Sequence, residues 1–127
     1  MIEPSTLRIM NAEEMRERTM QFAERVLRLV DKLPKSVAGQ TVGRQVARSG
    51  TSVAANYRAA LRCKSRPDFI NKITVALEEA DKSGFWIELA GRTGLLPKAR
   101  LSAIHDEALQ LTKIFNATRR TAKNHKS

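Results

Sequence analysis

Four stretches of this 127-residue chain place apolar residues every three or four positions, and Pro34, Pro67 and Pro97 fall at the breaks between them. That period belongs to an α-helix with one buried side. Proline belongs neither in a helix interior nor after a residue in the α conformation. The chain therefore reads as all-α, with four helices joined by short connections. Such helices pack best as an antiparallel up-down-up-down four-helix bundle. The length suits one domain that can bury a real core.

Residues 1–11 read as a poorly ordered lead-in, ending at Asn11, an N-cap with Glu14 three residues on. Met15, Thr19, Phe22, Val26, Leu29 and Leu33 stripe a first helix over about 12–33. Val42, Val46, Ser49, Val53, Tyr57 and Ala60 stripe a second over about 39–63. Beside them Gly43, Ala47, Gly50 and Ala54 form a row of small residues, suited to close helix approach or to ordinary packing. Ser65-Arg66-Pro67-Asp68 opens a third helix, over about 67–92, with Gly94 as its C-terminal cap. Leu101, Ile104, Ala108, Leu111 and Phe115 stripe a fourth over about 98–118, leaving 119–127 as a basic tail. The third helix is apolar beyond one stripe: Phe85, Trp86 and Leu89 spread around it, which marks either a subunit interface or deeper burial in the bundle.

Charge is the second constraint. The formal net charge is +10, which suits an anionic partner, nucleic acid first, or serves only to keep the chain in solution. Lys32–Pro67 contains eight Lys or Arg and no acid. Arg44, Arg48, Arg58 and Arg62 fall within about 80° of one another around the second helix, opposite its Val stripe. Lys64 and Arg66 follow in the next turn. Arg donates two hydrogen bonds to a phosphate through its planar fork, so this row reads as a phosphate-tracking surface. The alternative is a solvated face, or Arg residues paired with acids of the same or a neighbouring subunit. No aromatic is interleaved except the core-facing Tyr57, so a base-stacking mode has no support.

Other chemistries find little footing. Neither His105 nor His125 has Glu three residues before it, so the di-metal bundle motif is absent. His105-Asp106-Glu107 are consecutive and point different ways around a helix. Cys63, between Arg62 and Lys64, has no evident catalytic partner, and no phosphate loop or nucleophile elbow occurs. The expectation is a non-enzyme with no cofactor, no metal and no catalytic residue. With one cysteine, no signal segment and no apolar run of membrane length, the expected location is the cytoplasm.

The segment Arg48-Ser49-Gly50-Thr51-Ser52-Val53-Ala54-Ala55-Asn56-Tyr57-Arg58-Ala59-Ala60 resembles the second-helix signature of small bundle proteins known from intervening sequences of bacterial 23S ribosomal RNA genes. Asp68-Phe69-Ile70-Asn71-Lys72, Ala76-Leu77-Glu78-Glu79-Ala80-Asp81 and Phe85-Trp86-Ile87-Glu88-Leu89 extend the resemblance over about residues 12–118. It implies an antiparallel four-helix bundle, commonly a ring-like homo-pentamer. It also implies kinship with accessory proteins of diversity-generating retroelements, basic bundles that associate with a reverse transcriptase and nucleic acid. It brings no catalytic residues. Ser52 and Asn56 match the family's polar positions; they stand one turn apart at i and i+4, so the expected role is a structural hydrogen bond across the bundle. Ala59 stands where the family usually has Glu, which makes this surface more positive. Two functions fit: an oligomer that binds RNA or DNA, RNA first, or a protein scaffold or accessory subunit whose basic face docks an acidic partner.

Overall fold

Each of the first three helices begins where a small polar side chain in extended backbone accepts a hydrogen bond from the N–H three residues on. The structure, a computed structural model, describes residues 11–124. Asn11 Oδ1 accepts from the Glu14 N–H at 2.9 Å and opens α1 (Ala12–Val30). Ser36 Oγ accepts from Gly39 at 3.1 Å and opens α2 (Val37–Leu61). Ser65 Oγ accepts from Asp68 at 3.2 Å and opens α3 (Arg66–Arg92), with Pro67 in the first turn. The fourth helix, α4, spans Lys98–Asn124.

The ends differ from the sequence expectation in instructive ways. α1 stops at Val30 rather than Leu33, because Pro34 bars its predecessor from the α region. The chain tightens instead into turns, Lys32 N–H to Leu29 C=O at 3.0 Å and Leu33 N–H to Val30 C=O at 3.1 Å, and Leu33 stays buried. α2 starts at Val37, not 39, because Ser36 supplies the cap, and it ends at Leu61, not 63, where Arg62 and Cys63 bond back three residues. Arg119–Asn124, expected as part of a basic tail, continue α4, carried by Thr118 and the half-buried Arg119 against α3. There the Arg119 Nε–H donates to Thr74 Oγ1 at 2.9 Å. Residues 1–10 of the expected 1–11 lead-in and the tail residues 125–127 lie outside the described residues. Gly94 closes α3 at φ 73°, a left-handed conformation that side chains disfavour, and Leu95 N–H reaches back to the Ala90 carbonyl at 3.0 Å.

Each helix packs along the next in chain order, and α1 meets α4 only lightly to close the bundle. Phe22, Val26, Val46, Val53, Ile73, Ile87, Leu111 and Phe115 fill the interior. Tyr57 and Phe115 tilt against each other with ring centroids 5.8 Å apart. Burial pushes the Tyr57 phenol above its usual value and keeps it neutral. α3 is held close on both sides by residues with little or no side chain: Ala76, Ala80, Ser83, Gly84 and Ala90 are all buried. The Ser49 and Ser83 hydroxyls meet at 2.9 Å inside this contact and fix the register of α2 against α3. On the other flank Gly50 receives Val26: a Cβ on Gly50 would stand 2.7 Å from Val26 Cγ2.

α1 and α4 are joined chiefly by one charged fork. Arg18 donates through Nε to Glu107 Oε2 at 2.8 Å, and through Nη2 to Glu107 Oε1 at 2.7 Å and Gln110 Oε1 at 2.8 Å. The hydrogen bond to Glu107 raises the Arg18 pKa above its ordinary value, so the guanidinium stays charged throughout the working range.

Two stability measurements check this packing. Gly50→Ala is expected to cost about 1–3 kcal/mol in urea denaturation, because the added methyl meets the Val26 side chain. Combined with Val26→Ala it is expected to cost less than the sum of the single changes. Glu107→Gln is expected to lower stability by about 1 kcal/mol, with a smaller loss at high salt, since the pair is only partly shielded from solvent.

Candidate nucleic-acid interface

The helical period that buries the Val stripe of α2 forces the opposite side outward, so Arg44, Arg48, Arg58 and Arg62 are all exposed. Thr51 and Ala55 lie between them. Thr51 turns its hydroxyl back to the Ala47 carbonyl at 2.7 Å, which leaves the surface among the guanidiniums low. Lys64 is exposed in the α2–α3 turn, and Arg66 is half-buried at the start of α3. Among the described residues none of these six cations forms an ion pair with a carboxylate. Arg44 has only a long contact, 3.5 Å, to Gln40 Oε1. Arg58 leans toward α1, where it lines a hollow together with Glu13, Glu17 and Met20. The row is thus an exposed face, with Arg62 continuing toward Lys64 and Arg58 beside the acidic side of α1. Tyr57 is buried, so no ring on α2 offers a stacking platform.

The other sequence-predicted residues are more dispersed. Ser52 and Asn56 do come together, but inside α2: Asn56 Nδ2 donates to the Ser52 carbonyl and to Ser52 Oγ, both at 2.9 Å. The expected bond across the bundle is replaced by this local one, because residues four apart share one side of the same helix. Ala59 is half-buried next to them, and its carbonyl accepts from Cys63 Sγ at 3.4 Å. Of the trio Phe85, Trp86 and Leu89, only Phe85 stands out, at 56% exposure. Trp86 folds partly onto the core and meets the Phe85 ring edge-on at 5.0 Å, and Leu89 is half-buried. Sequence reasoning missed Leu109 on α4, which is 44% exposed. It follows Ala108, which faces Gly84 of α3: a Cβ on Gly84 would stand 3.7 Å from the Ala108 Cβ. Its position outside the Leu101–Phe115 stripe was the available signal.

His105, Asp106 and Glu107 separate as their consecutive positions require. His105 turns to α3, with Nε2 4.0 Å from Glu88, Asp106 accepts from Gln110 at 2.6 Å, and Glu107 serves Arg18. Among the described residues no group of three or more His, Cys, Asp or Glu is placed to hold a metal ion. A cleft of about 470 Å³ between α3 and α4 has Ile87, Gly91 and Leu101 at its base and Glu88, Arg92, Lys98 and His105 at its rim. No helix among the described residues is long and apolar enough to cross a membrane.

The fold and sequence have clear counterparts. The family described as 23S rRNA-intervening sequence protein matches residues 12–117. Among solved structures, the chain is similar to a protein of unknown function from the S23 ribosomal protein family of Bacteroides thetaiotaomicron. The identity is 31%, the TM-score 0.78, and the match covers 87% of this chain and 98% of that one. No curated protein matches significantly. The family match takes in all of α1, α2 and α3 and most of α4, and so the chain belongs to the family of 23S rRNA-intervening sequence proteins.

Proposed function

We propose that this protein is a non-catalytic, homo-oligomeric RNA-binding subunit. It tracks the phosphate backbone through the Arg face of α2. The observation that carries the reading is the row Arg44, Arg48, Arg58 and Arg62, exposed along one side of a helix and unpaired with any carboxylate among the described residues. Like charges one turn apart repel, and a helix that keeps four of them has a use for the field they make. Guanidinium forks suit phosphate oxygens, and Lys64 and Arg66 extend the cationic strip around the α2–α3 turn. The lack of an exposed ring on α2 supports recognition of backbone and shape rather than of single bases. The family's description, which names a 23S rRNA intervening sequence, favours RNA over DNA. The exposed Phe85 and Leu109 support assembly with further copies, and the family resemblance favours five subunits.

Fluorescence-anisotropy titration with a structured RNA hairpin tests this. With about four phosphates neutralised, log K is expected to fall with log salt at a slope near −3 to −4. Arg48→Glu with Arg62→Glu is expected to weaken binding at least tenfold and to flatten that slope. Binding indifferent to salt or to this double change overturns the reading, as does a nuclease-resistant association with an acidic protein and none with RNA.

A further inference from the structure

The cationic surface does not stop where α2 ends. The structure folds Arg119–Lys123 into α4 and ties them to α3. The Arg119 Nε–H donates to Thr74 Oγ1 at 2.9 Å, and farther along the same seam a Cβ on Gly84 would stand 3.7 Å from the Ala108 Cβ. These two contacts set the antiparallel register of α3 and α4. A helix advances about 1.5 Å per residue, so Arg120 and Lys123 stand level with the first two turns of α3. Both are exposed, and neither forms an ion pair with a carboxylate among the described residues.

The α2–α3 turn lies at the same end of the bundle and brings Arg62, Lys64 and Arg66 there. The half-buried Lys72 adds a cation on α3, also without an ion pair among the described residues. Against these the end carries Asp68 on α3 and Glu13 and Glu14 on α1, and Glu13 already pairs with Arg16 at 2.8 Å. The end is therefore positive across its width, from α2 over α3 to α4. The whole cationic surface has two arms. One follows the α2 axis from Arg44 to Arg62, about 27 Å at the helical rise. The other crosses the end of the bundle transverse to that axis, over two interhelical steps of about 8–10 Å each.

We propose that the RNA held by this protein is a stem continued by a single strand. The stem lies along the Arg face of α2, and the strand crosses the α2–α3 end of the bundle to Arg120 and Lys123. The proposal rests on the RNA-binding reading above and names the shape of its ligand. A nucleic-acid duplex is stiff over far more than the length of this bundle, so it follows one arm only. A single strand bends between nucleotides and takes the corner. The last turns of α4 expose no ring for a base to stack on, so the strand is held through its phosphates and its sequence is free.

The experiment titrates the whole chain, by fluorescence anisotropy, with a blunt-ended RNA hairpin and with the same hairpin carrying a single-stranded extension on either strand. The extended hairpin is expected to bind about tenfold tighter, and its log K to fall more steeply with log salt by about 0.7 for each added phosphate contact. Arg120→Ala with Lys123→Ala is expected to erase the difference and to leave the blunt hairpin within about twofold of wild type. Lys98→Ala with Arg100→Ala removes the same charge from the opposite end of α4 and is expected to change neither titration. All four positions are exposed, and far-ultraviolet circular dichroism checks that both variants stay helical. A blunt hairpin that binds as tightly as the extended one overturns the proposal alone. So does a difference that survives Arg120→Ala with Lys123→Ala, or one that falls equally with the change at Lys98 and Arg100. Polyglutamate that displaces the extended hairpin as readily as single-stranded RNA does assigns this end to an acidic protein and also overturns it. A chain that binds neither RNA overturns this proposal together with the RNA-binding reading.

Discussion

The bundle depends on how closely α3 is approached from both sides. Ala76, Ala80, Gly84 and Ala90 put almost nothing between α3 and its neighbours, and the Ser49–Ser83 hydroxyl contact can exist only at that separation. Gly50 repeats the device between α1 and α2, where Val26 occupies the space a side chain would take. Close-packed interiors tolerate neither extra volume nor voids, so these small residues set the positions of the larger ones, Phe22, Ile73, Leu111 and Phe115, around them. Phe85 and Trp86 fall outside the side of α3 that buries Ile73, Ala76, Ala80, Gly84 and Ile87, so Trp86 lies half-buried at the flank and Phe85 stands in solvent.

The charge pattern follows from the same geometry. Arg18 faces Glu107 across the α1–α4 seam and pairs with it. The outer side of α2 faces no other helix. Its segment of the chain carries no acid of its own, so the row from Arg44 to Arg62 is left without compensation among the described residues. The cationic face of α2 and the exposed Phe85 are features that internal packing leaves unexplained.

Much of this was legible beforehand. Every stripe residue named for the first, second and fourth helices except Leu29 is buried in the structure, and Asn11, Ser65 and Gly94 act as the caps their types suggest. The Arg face was legible because it needs only the helical period. What failed was whatever required a neighbour's position. Ser52 and Asn56 bond within one turn rather than across the bundle, and Phe85, Trp86 and Leu89 divide between solvent and core. Leu109 was passed over because it falls outside the Leu101–Phe115 stripe.

By itself the sequence determined the number and order of the helices, the side each one buries, and the cationic face of α2. These follow from local rules: the 3.6-residue period, the geometry of proline and the chemistry of caps. Tertiary structure decided which small residues are close contacts and which are open ground. Gly50 is packed against Val26 and Gly39 against the Pro34 carbonyl, while Gly94 faces open space. It also decided which charges are paired. Both depend on distances between helices remote in sequence, and those distances come only from packing all four at once.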